Sequence, residues 1–348
     1  MACIAAILGQ TREGIMAEAE LDAWMQAHVA GYRGPLTLTR LKGGQSNPTW
    51  RVEAASGRYV LRQKPVGKVL PSAHQVDREY KVMKALGETD VPVPRMLGFC
   101  DDDSVMGSMF FVMEHLEGRT LWDPRLPEMT PAERAAIFEA MNDAIARISL
   151  VDPLAVGLGD YGRQGGYLER QVSRWTKQYR ASETHRIEAM DRLIDWLPQN
   201  MPTRPEEVRI AHGDFRLDNL MFHLTEPRVL GVLDWELSTL GDPFADFAYN
   251  VMVWRIAPGI FRGLGGVDLT GTGIPTEDEY IDMWCRKTGR ERPADFDFYV
   301  ILSLFRIAAI VQGIAKRAQD GTANDPRAAE MGKVAGPLAE VAWAMVRR

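Results

Sequence analysis

The stretch Ile210-Ala211-His212-Gly213-Asp214-Phe215-Arg216-Leu217-Asp218-Asn219-Leu220 has the form H-x-D-x-x-x-x-N. Fifteen residues beyond Asn219, Val232-Leu233-Asp234-Trp235-Glu236 places another Asp directly after an apolar run. Phosphoryl transfer needs this set of groups: one carboxylate to orient the attacking hydroxyl and accept its proton, and a second carboxylate and an amide oxygen to hold Mg²⁺ against the phosphates. Mg²⁺ is a hard cation that takes oxygen ligands. The pattern therefore makes Asp214 the expected base and Asn219 and Asp234 the expected metal ligands. A loop of turn-forming Asp, Asn and Gly between two strands would share part of this pattern. The second Asp at this separation is what favours a kinase. His212 is expected to brace the loop through hydrogen bonds. A His/Asp metallohydrolase is the weaker reading, because no second His stands in ligand spacing and His223 falls on the following strand.

Outward from this stretch the chain divides in two. Leu21, Trp24, Met25, His28 and Val29 recur at helical spacing and predict a helix over 17–30. After Pro35 a β-rich region follows, with a turn at Ser56-Gly57, a strand restarting at Tyr59-Val60-Leu61, a helix over 73–86 and a buried strand over 109–116. From Gly118 the pattern is helical, and Thr130-Pro131 with Glu133 marks a helix start. Further helices are expected at 167–183, 185–197, 243–254, 276–288, 296–318 and 326–346, with short strands and loops over 208–234. Asp242 and Pro243 are expected as N-cap and first residue of their helix, and Asp246 is expected to act structurally in its first turn, with support of the catalytic loop as the alternative. The expected organisation is an N-terminal extension and helix (1–32), a small β-rich lobe (33–115) and a large helical lobe (116–348), an α+β fold.

The 348 residues fit two domains or one two-lobed unit. The net charge of −6, with no basic block, excludes a non-specific nucleic-acid binder. The three cysteines (Cys3, Cys100, Cys285) form no pairable framework and suit a reducing, cytoplasmic setting. The apolar start lacks a basic region and a cleavage pattern, so it is not read as a signal peptide, and Met16 would serve equally as initiator. No apolar stretch approaches the roughly 20 residues of a membrane span, so no membrane is expected.

His212 to Asn219, followed by Leu233-Asp234-Trp235-Glu236, resembles the signature of the aminoglycoside phosphotransferase and choline kinase-like family. The resemblance runs from about Leu36 to Trp343. It points to the branch found beside or fused to acyl-CoA dehydrogenases, through Gly43-Gly44-Gln45-Ser46-Asn47-Pro48-Thr49, Val76-Asp77-Arg78-Glu79-Tyr80, Leu233-Asp234-Trp235-Glu236-Leu237-Ser238-Thr239 and Ser303-Leu304-Phe305-Arg306. It implies the bilobal protein-kinase-like fold, ATP and Mg²⁺ as cofactors, and an alcohol of a small molecule as acceptor.

Within that resemblance, Gly43, Gly44 and Ser46 occupy the loop that covers the nucleotide phosphates. Arg62 stands where a Lys is usual, paired with Glu79. Glu114 and Leu116 are the expected backbone partners of the adenine. Arg216 and Glu236 are the expected substrate contacts. Ala146-Arg147-Ile148-Ser149 replaces the family's Leu-His, which predicts local repacking. The branch implies a hydroxylated acyl group, free or as a thioester, rather than an aminoglycoside, and association with an acyl-CoA dehydrogenase. Arg163, Arg170, Arg174 and Lys177 would serve a CoA carrier or form a solvated basic face. Two other readings stay open. Arg62 is compatible with a catalytically weak nucleotide-binding regulatory module. A protein Ser/Thr kinase is disfavoured by the missing D-F-G, A-P-E and activation segment.

Overall fold

The computed structural model describes residues 12–41, 47–66, 75–323 and 327–347. The chain divides into two compact units, one of Met1–Glu117 with Asp234–Glu236, the other of Gly118–Leu233 with Leu237–Arg348. Gly43, Gly44 and Ser46 lie outside the described residues.

In the first unit, helix α1 (Arg12–His28) precedes strands β1 (Leu36–Arg40), β2 (Thr49–Ala54) and β3 (Gly57–Gln63). Helix α2 (Val76–Leu86), strand β4 (Met96–Cys100), the short helix α3 (Asp103–Met106) and strand β5 (Phe110–Glu114) follow. The five strands form an antiparallel sheet in the order β1-β2-β3-β5-β4. Ala55-Ser56 turns β2 into β3, one residue before the expected Ser56-Gly57, and Gly57 opens β3 with φ of 136°, which a side chain would resist. One apolar cluster joins Leu21 and Met25 of α1, and Val29 just beyond it, to Val52, Leu61, Phe110 and Val112 of the sheet. The segment expected as an N-terminal extension thus contributes its helix to this core.

The second unit opens with β6 (Gly118–Thr120) and α4 (Pro131–Leu150). A capping box between Thr130 and Glu133 starts α4 where the sequence pattern places it. Next come α5 (Tyr167–Ser182), α6 (Glu188–Gln199), β7 (Arg209–Ala211), β8 (Leu220–His223), β9 (Val229–Val232) and β10 (Thr239–Gly241). Strands β6, β8 and β9 form one small antiparallel sheet, and β7 pairs with β10 in another. Helices α7 (Pro243–Val251), α8 (Glu277–Thr288), α9 (Phe296–Gln319), α10 (Ala328–Gly332) and α11 (Ala335–Val346) complete it.

The single helix expected over 326–346 is two. Gly332 approaches α9 so closely that a Cβ there would meet that of Ala315 at 2.5 Å. Helix α7 ends at Val251 and gives way to a 3₁₀ turn, Met252–Trp254. Helix α9 is, among the described residues, the one long and apolar enough to cross a bilayer, although the sequence pattern suggested none. It packs against α5, α7 and α11, and 83% of its most apolar window is buried in the unit, which is the setting of a core helix.

Candidate active site

The H-x-D-x-x-x-x-N stretch is the connection from β7 to β8, closed by a 3₁₀ turn at Leu217–Asn219. Its first half is held by its backbone. Asp246, in the first turn of α7, accepts hydrogen bonds from His212 N–H and Gly213 N–H, both at 2.8 Å. Burial pushes the Asp246 carboxyl up, while His212, the two N–H groups and Arg306 oppose that. The helix is placed for this by its cap: Asp242 accepts from Phe244 N–H at 2.8 Å and is bridged by Arg204. Gly213 has φ of 81°, and a Cβ there would lie 2.6 Å from the Leu237 carbonyl oxygen, so only glycine fits.

His212 is fully buried and braces the loop, as its sequence position suggests. Its Nδ1 accepts from Asp214 N–H at 3.1 Å, which leaves Nε2 as the donor to Leu233 carbonyl oxygen at 2.9 Å. Leu233 N–H in turn donates to Asn219 carbonyl oxygen at 2.8 Å. The loop and the end of β9 are therefore cross-tied on both sides.

Asp214 carries a partly exposed carboxylate. The Asn219 amide nitrogen donates to its Oδ2 at 3.0 Å and to its backbone oxygen at 2.8 Å. Among the described residues that orientation leaves the Asn219 Oδ1 without a hydrogen-bond donor, an oxygen of the type a hard cation takes. Arg216 flanks the same carboxylate, with Nε 3.2 Å from Oδ1 and a terminal nitrogen 3.3 Å from Oδ2. Arg216 thus sits against the expected base.

In the first unit, Arg62 projects from β3 and Glu79 from α2. Arg62 Nε lies 2.7 Å from the Glu79 carboxylate, and a terminal nitrogen donates to Asp234 at 2.8 Å and lies 3.7 Å from Glu236. The structure therefore gathers Arg62, Glu79, Asp234 and Glu236 into one cluster. Asp234 has φ of 65°, an uncommon backbone state for a residue other than glycine and one that concentrates at functional sites. Burial works against the Arg62 charge, but Glu79, Asp234 and Glu236 outweigh it and push its pKa up. Glu79 is 2% exposed, and burial pushes its carboxyl up to about 7 against the pull of Arg62. Glu114 ends β5 and donates its N–H to Arg95 carbonyl oxygen at 3.0 Å; Leu116 lies just beyond, half-buried.

Beside the loop, the second unit has a pocket with about 540 Å³ of empty space, part of it open to solvent. Phe138, Met141, Tyr249, Met252, Ile256 and Phe261 give it an apolar wall, and Arg216 and Asp218 bring the loop into its lining. Asp218 is the only carboxylate of the lining, and Arg262 holds it at 2.6 Å while stacking over the exposed ring of Trp122 at 4.6 Å. Sequence reasoning missed this pocket, because its residues come from five separate segments. Among the described residues no three His, Cys, Asp or Glu side chains cluster to hold a metal. The expected ligands Asn219 and Asp234 carry an amide and a carboxylate oxygen, donor types that fit Mg²⁺, a cation that takes few protein ligands and keeps phosphates and water.

A model of the phosphotransferase enzyme family matches residues 37–289. The chain belongs to that family. It is 48% identical over 312 residues to mouse acyl-CoA dehydrogenase family member 10, which covers 89% of this chain and 29% of that protein. The phosphotransferase chain thus spans less than a third of that relative. A crystal structure described as a putative aminoglycoside phosphotransferase from Ralstonia eutropha shares 52% identity and a TM-score of 0.88, covering 94% of this chain and 98% of that one. Choline kinase from Cryptosporidium parvum (TM-score 0.66, 11% identity, 94% of each chain) shares the fold. So does aminoglycoside phosphotransferase APH(4)-Ia in complex with ADP and hygromycin B (TM-score 0.60, 13% identity, 93% and 97%). The expected kinase-like α+β fold, with a small β-rich and a large helical part, is the fold of this phosphotransferase.

Proposed function

We propose that this phosphotransferase moves the γ-phosphate of ATP to an alcohol group of a small molecule, with Mg²⁺ as cofactor. The observation that carries the proposal is the state of the loop: Asp214 is presented on a backbone fixed by Asp246, and Asn219 donates to it while keeping Oδ1 free. In this reading Asp214 orients the acceptor hydroxyl and takes its proton. Asn219 and Asp234 would hold Mg²⁺, which supplies charge neutralisation at the phosphates. Arg62, backed by Glu79, steadies the nucleotide phosphates, and Gly43, Gly44 and Ser46 cover them. Glu114 and Leu116 offer backbone groups to the adenine, and Arg216 and Glu236 contact substrate. The structure of APH(4)-Ia with ADP supports nucleotide use by analogy of fold.

For the acceptor, the pocket beside Arg216 favours an apolar body over a polycation, because its one carboxylate is already taken by Arg262. A hydroxylated acyl group, carried as a thioester, fits that chemistry. It also fits association with an acyl-CoA dehydrogenase, an activity named in the relatives. A cytoplasmic location is part of the proposal; Cys100 and Cys285 are buried free thiols.

The test is Mg²⁺-dependent ADP release with a hydroxyacyl-CoA and with kanamycin as acceptors. Turnover with the thioester should exceed that with kanamycin and fall by about 10²–10⁴-fold in Asp214→Asn with nucleotide binding retained. Efficient kanamycin phosphorylation without response to thioesters overturns the acceptor; turnover unchanged in Asp214→Asn overturns the mechanism. The Arg62–Asp234 contact favours a second reading, a weak nucleotide-binding regulatory module in which Arg62 keeps Asp234 occupied. Nucleotide binding without turnover on any acceptor would select it.

A further inference from the structure

Arg306 is a charged residue in an otherwise apolar run of α9, and it is only 8% exposed. Its guanidinium lies between two rings, 5.1 Å from the centre of Trp175 and 4.7 Å from that of Tyr249. Burying a guanidinium is costly, and the cost is usually met by a carboxylate. Among the described residues Arg306 makes no ion pair, and its Nε has no hydrogen-bond acceptor. A terminal nitrogen instead donates to the Gly213 carbonyl oxygen, the carbonyl directly before Asp214.

This bond completes a clamp. Asp246 holds the N–H of Gly213 and Arg306 holds its C=O, so the peptide units on both sides of the left-handed glycine are fixed. The second unit in the clamp is the Gly213–Asp214 peptide, whose plane sets where the Asp214 side chain leaves the backbone. Tyr249 connects the clamp to the pocket, since its ring stacks on Arg306 and also lines the apolar wall. We infer that Arg306 is a positioning residue: it holds the Gly213–Asp214 peptide so that the Asp214 carboxylate faces the acceptor. The kinetic part of this inference rests on the phosphotransferase reading above; the structural part does not.

The experiment uses the full chain with Arg306→Met and Arg306→Lys and two readouts. In hydrogen exchange, amides of the 212–219 loop should exchange about 10- to 100-fold faster in Arg306→Met, the equivalent of one charge-assisted hydrogen bond. Exchange in α4 and α11 should be unchanged, and Arg306→Lys should restore most of the protection. With Mg²⁺, ATP and a hydroxyacyl-CoA, kcat should fall by a similar factor in Arg306→Met, KM for both substrates should stay within about threefold, and Lys should recover part of kcat. If Arg306→Met does not fold, Arg306→Gln carries the test, because its amide is too short to reach Gly213. Loop exchange that is unchanged, or that rises equally in every helix of the unit, overturns the inference. Absent turnover in the unaltered protein counts against the phosphotransferase reading, while the exchange result still decides the role of Arg306.

Discussion

The pairing of Arg62 with a buried Glu79 makes stability depend on pH in a way that can be worked out. Glu79 has a folded-state midpoint of about 7, raised from 4.5 by burial. A carboxyl whose pKa is raised on folding adds stability below its unfolded value, and that stability is lost as pH rises through the folded midpoint. Over pH 6 to 8 the unfolded chain holds no proton at this site. The folded chain holds on average about half a proton, so the integral is about one pH unit, on the order of 1 kcal/mol of stability lost. In Glu79→Gln that loss is absent. In Arg62→Met the cation that opposes burial is gone, so Glu79 holds its proton over more of this range and the loss is larger, up to about twice as much. Urea unfolding at pH 6, 7 and 8 measures all three proteins, and subtracting Glu79→Gln removes every other titrating group. Parallel pH dependence in the wild type and Glu79→Gln, or a shallower one in Arg62→Met, would refute the reasoning.

Gly213→Ala should destabilise the fold by about 1–3 kcal/mol in urea unfolding and abolish ADP release, since the left-handed backbone and the Leu237 carbonyl both exclude a side chain. A variant with full activity would show that the loop can re-form around it. Asp246→Ala leaves two buried N–H groups without their acceptor and should cost about 2–6 kcal/mol; a loss under 1 kcal/mol would mean that they find other partners. Thr130→Ala removes the capping box of α4, which is far from the loop in sequence, and should cost about 1 kcal/mol with turnover unchanged.

The H-x-D-x-x-x-x-N loop was legible in the sequence because it is written in one short stretch, and the bracing expected of His212 is seen in its bonds to Asp214 and Leu233. Arg62, Glu79 and Asp234 were legible through their resemblance to kinases, and the structure joins them by direct ion pairs. Long elements such as α4 carried their own start signals. Three-residue strands such as β6, β7 and β10 did not, since no period can be read from three residues. The clamp by Arg306 and the pocket at Asp218 and Arg262 depend on residues tens of positions apart. The signal for Arg306 was present as a lone charge in an apolar helical run, which must find a buried partner. Its partner, a glycine carbonyl, has no side chain to reveal it.

The Arg62 cluster also explains why an arginine can stand where lysine is usual. A lysine offers one ammonium, whereas the planar fork of Arg62 presents Nε to Glu79 and a terminal nitrogen to Asp234, with Glu236 next in reach. One positive charge then faces three carboxylates. When all three are ionised the cluster carries a local charge of −2; burial is what chiefly lifts Glu79 towards neutrality, and Asp234 and Glu236 add to it against the pull of Arg62. A divalent cation at Asp234 would cancel the surplus. Under the phosphotransfer proposal this acidity would suit a divalent cation beside the nucleotide phosphates. Arg62 orients the Asp234 carboxylate through the hydrogen bond it donates at 2.8 Å.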